Sequence, residues 1–163
     1  NPITREVRSG QAEAPKGFLH YLIKFDGVHD QQFGASYGYG RVEMAYYLMA
    51  KDAGINIMDS YLLEEKDRAH FMTKRFDRDE INGKLHVQSF CSMAHFDFNN
   101  ILSYSYEQLF ETMRLLRLPY TDAEQMYARM VFNVFILVNI SHRVSHVNAL
   151  LGYTSRINQL PER

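Results

Sequence analysis

The spacing of apolar residues predicts strands in the first half of the chain. Residues 18–25 (FLHYLIKF), 55–63 and 69–76 (AHFMTKRF) are rich in aromatic and branched side chains, which is typical of strands. The charged residues 64–68 separate the last two segments, so we expect these two strands to pair across a turn. A further short strand is predicted over residues 85–87, after an Asn-Gly turn signal.

A helix is predicted between the first two strands, over residues 41–53. Gly54 follows its last apolar residue and provides a stop signal. The preceding residues 26–40 form a loop that contains four glycines. The apolar residues at helical spacing are Val42, Ala45, Met49 and Ala53.

Helical periodicity dominates the second half of the chain. Ser105 and Gln108 have the spacing of a capping box, which predicts a helix from there to about Leu118. Residues 121–124 (TDAE) have the same spacing and predict the start of another helix, and a further helix is predicted near residues 144–151. We expect one apolar stripe of the second of these helices to be buried: Ala123, Met126, Tyr127, Met130, Val131, Val134, Phe135 and Val138.

Strands with one helix, followed mostly by helices, predict an α+β fold in two lobes and not a doubly wound parallel sheet. We expect residues 1–90 to form a lobe of strands with one helix, and residues 91–163 to form a helical lobe.

The composition excludes several classes of protein. With 18 basic and 19 acidic residues, the chain is not a broadly basic nucleic-acid binder. The single cysteine, Cys91, excludes an internal disulfide framework and fits a reducing, cytoplasmic location. We expect no membrane span, because the chain has no apolar run of about 18 residues. The first residues show no signal peptide.

Lys24, inside the first predicted strand, is a candidate for binding phosphate. An ammonium group between large apolar residues needs a partner or a path to solvent, and Glu43 on the next helix is a candidate partner. A strand lysine paired with a helix glutamate is how kinases hold ATP phosphates. The alternative is an edge lysine whose ammonium simply reaches water.

Other candidate groups have simpler interpretations. The glycines of residues 34–40 follow Lys24, whereas a kinase glycine loop precedes its lysine, so a surface loop is favoured. His142 and His146 have metal-ligand spacing, but no third ligand is evident. Cys91 is predicted to be a small core residue. Residues 75–78 (RFDR) form either a solvated cluster of ion pairs or a segment beside a nucleotide base.

Several stretches together resemble the HipA-like serine/threonine kinases, which are bacterial toxin-family kinases with a two-lobed, protein-kinase-like fold. The resemblance covers roughly residues 17–136. The stretches that carry it, in order, are LIKFDG (22–27), RVEMAYYLMAKDAGI (41–55), HFMTKRFDR (70–78), KLHVQSFCSMAHFDF (84–98), YSYEQLFETMRLLRLPY (104–120) and RMVFNV (129–134).

The resemblance implies a nucleotide site. Lys24 matches the family lysine that contacts ATP phosphates, and Glu43 matches the glutamate near it. Lys74, Arg75 and Phe76 match the hinge at the adenine. The implied cofactors are ATP and Mg²⁺, and the implied substrate is a Ser or Thr of a protein.

The resemblance breaks after RMVFNV. The family continues with roughly N-x-D-D-H-x-K-N, whereas this chain reads FILVNISHRVSHV. His142 aligns with the motif histidine, but Ile140 stands at the catalytic aspartate and Ser145 at the metal-binding asparagine. No Asp follows Asn139, and the family's glycine-rich phosphate loop is not seen. Isoleucine can neither orient a hydroxyl nucleophile nor accept its proton.

Two explanations of this departure stay open. The chain is a degenerate pseudokinase, or its sequence omits segments that are mobile without nucleotide. For the sequence as it stands we expect no phosphotransfer. The alternative function is a non-catalytic interaction module, for which the resemblance implies a HipB-type DNA-binding antitoxin as partner. We expect no direct binding to nucleic acid or membrane.

Overall fold

The chain divides into two compact units, and its described elements together make an α+β fold. A computed structural model describes residues 1–10, 15–27, 29–30, 34–35, 38–79, 83–100 and 104–139. Unit 1 comprises residues 1–52 and 57–85, and unit 2 comprises residues 53–56 and the chain from residue 86. The predicted α+β class is confirmed, whereas the predicted lobes 1–90 and 91–163 stay predictions.

The elements follow the order that the sequence pattern predicts, with strands first and helices later. In chain order the described part contains β1 (Tyr21–Lys24), β2 (His29–Asp30), β3 (Gly34–Ala35), α1 (Tyr39–Asp52), β4 (Ser60–Glu65), β5 (Arg68–Lys74), α2 (Phe90–Met93), α3 (Tyr106–Leu115) and α4 (Tyr120–Asn139).

Unit 1 is built on a three-stranded antiparallel sheet in the order β1-β5-β4. The predicted pairing of β4 with β5 is confirmed, and Lys66, with φ of 52°, lies in the tight turn between them. In the other ladder, Lys24 pairs with Phe71 and Tyr21 with Lys74. The strand predicted over residues 85–87 is not formed.

Helix α1 packs against β4 and β5 through a face that the sequence analysis did not choose. The predicted bounds of this helix are confirmed within two residues, and Gly54 has the left-handed φ of 74° expected of a stop. Val42 and Met49, however, are exposed. The buried residues of the helix are Gly40, Tyr46, Tyr47 and Ala50.

The three described helices of unit 2 share a hydrophobic core. Helix α3 begins with the predicted capping box: the Gln108 backbone N–H donates to Ser105 Oγ, and the Ser105 N–H donates to Gln108 Oε1 at 2.8 Å. Cys91 packs at the edge of the core, as predicted. The buried members of the core are Phe90, Leu109, Met113 and Met126.

The segment of residues 53–56 packs on α4 within unit 2. The Asn56 N–H donates to Gln125 Oε1 at 2.7 Å, and Gln125 Nε2 donates to the Gly54 carbonyl at 3.3 Å. Arg129 donates to the Asn56 carbonyl, and burial lowers the pKa of its guanidinium. These bonds satisfy backbone groups that no helix or strand pairs.

The predicted buried stripe of α4 is confirmed only in part. Met126 is buried as predicted, and Ala123 and Met130 are half-buried. Tyr127, Val131, Val134 and Phe135 are exposed instead, and the helix buries Phe132 and Ile136, which the stripe did not include. The side chain of Val138 lies outside the described part. Helix α4 is apolar on more than one face, so periodicity alone does not decide which face meets the core.

Helix α4 begins at Tyr120, so Thr121 lies inside the helix and is not its cap. Within the described residues, we find no helix with the length and apolar character needed to cross a membrane.

Candidate functional site

The structure brings together the two residues that the sequence analysis paired. Lys24 lies at the end of β1 and Glu43 on the second turn of α1, and Lys24 Nζ lies 3.0 Å from Glu43 Oε1. The α1 side of the sheet carries this pair, because Lys24 and its cross-strand neighbour Phe71 point to the same face.

The Lys24–Glu43 ion pair contributes little to the stability of unit 1. The side chain of Lys24 is 49% exposed, whereas that of Glu43 is 13% exposed. An ion pair with one exposed partner contributes at most about 1 kcal/mol to stability. The ammonium group has three N–H donors. One of them binds Glu43, and since half of the side chain is exposed, the ammonium can also donate to an anionic ligand.

The residues matched to the adenine hinge lie at the opposite end of the same ladder. Lys74 pairs with Tyr21, and the Arg75 N–H donates to the His20 carbonyl at 2.9 Å. Phe71 is the residue opposite Lys24 on β5. Lys74 lies three residues further along this strand, a distance of about 10 Å. It also lies on the other face of the sheet from Lys24. Phe76 follows the strand and is half-buried.

The charged segment after β5 forms a cluster of local ion pairs. Arg75 Nη2 lies 2.5 Å from Asp77 Oδ2, and Arg78 Nη1 lies 2.8 Å from the same oxygen. The hydrogen bond from Arg75 is the main cause that lowers the pKa of Asp77 to about 2. The solvated ion-pair interpretation therefore describes the geometry of residues 75–78, while contact with a nucleotide base stays a prediction.

Asp77 should make the stability of unit 1 depend on pH in the acid range. Its pKa falls from 3.8 to about 2 on folding, so its contribution is complete above pH 4 and is lost as the pH falls towards 2. We expect Asp77→Asn to lower the free energy of unfolding by about 2 kcal/mol at pH 6 and by almost nothing at pH 2. Urea unfolding at both pH values measures the difference.

Glu111→Gln is the control for this measurement, because Glu111 is an exposed carboxylate 3.9 Å from Arg114. It should change stability by less than about 0.5 kcal/mol at either pH. An Asp77→Asn effect of equal size at pH 2 and pH 6 would show that the ionised carboxylate is not what stabilises this segment.

The sequence analysis missed two buried polar residues beside the Lys24–Glu43 pair. Asp26 follows β1, and its carboxylate accepts backbone hydrogen bonds from Gly38 at 2.9 Å and from Gly27 at 3.1 Å. His70 on β5 accepts the Asp26 N–H at Nδ1, at 2.9 Å. The only sequence signal was an Asp-Gly pair directly after a strand, which also marks an ordinary turn.

Unit 2 contains a separate apolar groove of about 670 Å³ between the start of α3 and the second half of α4. Its lining includes the exposed α4 residues Val131, Val134 and Phe135. None of the predicted site residues lines this groove. Its mostly apolar lining does not suit a phosphate ligand and does not include Lys24 or Glu43.

The candidates beyond α4 lie outside the described residues. These include His142 and His146, and the positions Ile140 and Ser145 that align with catalytic-loop residues. In the described ranges, no group of three or more His, Cys, Asp and Glu residues is arranged to hold a metal ion. The described side chains therefore do not form a Mg²⁺ site by themselves.

Comparison with protein families matches residues 4–142 to one family, described as the HipA-like C-terminal domain. The matched range includes all nine elements of the described structure. No curated protein and no solved structure matches the chain.

Proposed function

The chain belongs to the HipA-like C-terminal domain family, and from this we propose that unit 1 binds the phosphates of ATP through Lys24, held by Glu43. The resemblance stated from the sequence is thereby confirmed at the level of the family. The proposed activity class is that of a HipA-like serine/threonine kinase acting on a protein substrate in the cytoplasm. The Lys24–Glu43 ion pair is the observation that carries the proposal.

The chemistry of the pair suits a polyphosphate ligand. A protonated lysine neutralises phosphate charge and donates hydrogen bonds to its oxygens, and a glutamate on the neighbouring helix orients the lysine. Glu43 is held on a rigid 14-residue helix, so the ammonium is positioned by a structured element and not by a loop. Phe76 is the proposed contact for the adenine ring.

We further propose that the two units correspond to the two lobes of a protein-kinase-like fold. Unit 1 holds the antiparallel sheet and one helix, and the described part of unit 2 is mainly helical, which agrees with this assignment. Mg²⁺ would bind together with the nucleotide, because the phosphates of the substrate supply some of its oxygen ligands in kinases.

We propose that the chain does not transfer phosphate by itself. By the family resemblance, Ile140 occupies the position of the catalytic aspartate and Ser145 that of the metal-binding asparagine. Losing the base and a metal ligand removes the groups that orient the hydroxyl and neutralise charge in the transition state. We therefore expect nucleotide binding without turnover.

Lys24→Ala tests the proposal. With nucleotide at about 100 times its Kd, binding stabilises the folded state by about 2.7 kcal/mol, so the Tm of the wild-type chain should rise by several degrees in ATP and Mg²⁺. Lys24→Ala should lose this rise. Lys51→Ala is a matched control. Lys51 is an exposed lysine of the same unit, and its Nζ lies 3.9 Å from the carboxylate of Asp59.

Intact-mass spectrometry of the same sample should first verify a chain of 19.1 kDa. A wild-type chain that shows no shift, or a Lys24→Ala chain that keeps it, would contradict nucleotide binding at this site. Incorporation of labelled phosphate into a protein by the verified chain would contradict the proposed lack of turnover.

A second candidate function is a non-catalytic module that binds a HipB-type antitoxin. The isoleucine at the position of the catalytic aspartate favours it, because this residue would remove catalysis while the chain keeps its match to the family. No change in Tm with ATP and Mg²⁺, together with binding of a purified HipB-type protein, would favour this function over the first.

A further inference from the structure

Asp26 joins three separate segments of unit 1 through its carboxylate. The side chain is buried, with 4% of the residue exposed. Oδ1 accepts the N–H groups of Gly27 and Gly38, and Oδ2 lies 3.4 Å from the N–H of Ala69. These donors belong to the turn after β1, to the residue before α1 and to β5. A buried carboxylate is costly unless hydrogen bonds compensate, and here the donors are fixed backbone groups.

His70 adds a fourth connection at the same point. Its ring is buried, and Nδ1 accepts the backbone N–H of Asp26 at 2.9 Å. Nδ1 therefore carries no proton, so the ring proton of the neutral imidazole lies on Nε2, which is 3.3 Å from Glu65 Oε2. The ring edge also packs on Phe25 at 5.3 Å between centroids. The end of β1 is thus attached to β5 by both the side chain and the backbone of Asp26.

The position of Asp26 links it to both members of the ion pair. Lys24 is two residues before it on the same strand end. Glu43 lies on α1, which starts at Tyr39. The residue directly before this helix is Gly38, and its N–H donates to the carboxylate of Asp26. An anion at the N-terminus of a helix satisfies its unpaired N–H groups and interacts favourably with its dipole. The carboxylate therefore fixes the start of the helix relative to the strand that carries the lysine.

We propose that Asp26, supported by His70, is a positioning residue of the nucleotide site: it sets the distance between β1 and α1 and so holds Lys24 against Glu43. This inference rests on the proposed nucleotide function. Asp26 is buried, so it acts through the pair and does not contact the nucleotide itself. Sequence patterns did not identify it, because its three donors come from positions up to 43 residues away.

Asp26→Asn tests the inference with little change in shape. The amide keeps one acceptor oxygen but turns an N–H donor towards one of the backbone donors. Ser60→Ala is the matched control: Ser60 is buried in the same sheet and donates to the Met58 carbonyl, but it has no contact with the pair. ATP affinity and urea unfolding are measured for the wild-type chain and both variants.

We expect Asp26→Asn to weaken ATP binding at least tenfold, while Ser60→Ala stays within twofold of the wild-type Kd despite its own loss of stability. Amide hydrogen exchange at Gly38 and Ala69 should speed up in Asp26→Asn without nucleotide. A loss of affinity that simply follows stability across both variants would overturn the positioning role.

Two further outcomes separate this inference from the proposed function. Wild-type affinity in a folded Asp26→Asn chain would overturn the inference and leave nucleotide binding intact. A wild-type chain that does not bind ATP would overturn the proposed function, and the inference with it.

If Asp26→Asn does not fold, the His70 variants decide. His70→Asn keeps an acceptor at the position of Nδ1, whereas His70→Leu removes it. Weak ATP binding by His70→Leu with near wild-type binding by His70→Asn supports the inference, and equal affinities overturn it.

Discussion

Gly40→Ala should unfold unit 1 or lower its free energy of unfolding by more than about 3 kcal/mol. A Cβ at this position would lie 1.8 Å from the Ala69 carbonyl oxygen and 2.9 Å from the Ala69 carbonyl carbon. Both atoms belong to the backbone of β5, the central strand of the sheet. The clash cannot be relieved by rotating a side chain, so the start of α1 must move away from the sheet.

The same displacement would separate Glu43 from Lys24, because Glu43 lies one turn further along α1. We therefore expect loss of ATP binding in any Gly40→Ala protein that remains folded. Urea unfolding followed by the amide signals of Phe71 and Ala50, both buried in unit 1, measures the stability. Gly10→Ala is the control, because a Cβ at Gly10 has no atom within 4 Å. A Gly40→Ala chain as stable as this control would show that α1 does not approach β5 so closely.

Phe90→Ala should cost about 3–4 kcal/mol in unit 2. Phe90 is 5% exposed, and its ring makes an edge contact with Phe96 at 5.5 Å between centroids. It packs with Leu109 and Met126, so truncation removes the largest buried side chain that α2 places against the two longer helices. The cost combines the lost transfer free energy of the ring with the cavity that it leaves among Leu109, Met113 and Met126.

Phe98→Ala is the matched control for this prediction. Phe98 is the same residue type eight positions later, but it is 71% exposed, and its truncation should change stability by less than about 0.5 kcal/mol. Urea unfolding followed by the amide signals of Leu109 and Met113 measures both variants. Equal effects of the two substitutions would contradict the assignment of Phe90 to the core.

The candidate pair could be predicted from the sequence because each residue type was informative in its element. A lysine inside an apolar strand needs a charged partner or a path to solvent, and Glu43 was an acidic residue near the start of the next helix. The structure joins them at 3.0 Å. Asp26 and His70 could not be predicted in the same way, because a hydrogen bond between positions 44 residues apart leaves no periodic signal.

The sequence by itself determined the α+β class, the pairing of β4 with β5, the extent of α1 and the cap of α3. These features depend on local periodicity, on turn residues and on the spacing of Ser105 and Gln108, all of which act within a few residues. Only the tertiary structure decided which faces of α1 and α4 are buried. Tyr46 and Tyr47 face inward, whereas the apolar Val131 and Phe135 are exposed. The reason is that both helices are apolar on more than one side, and the buried side is chosen by close approaches such as that of Gly40 to β5, which connect residues distant in sequence.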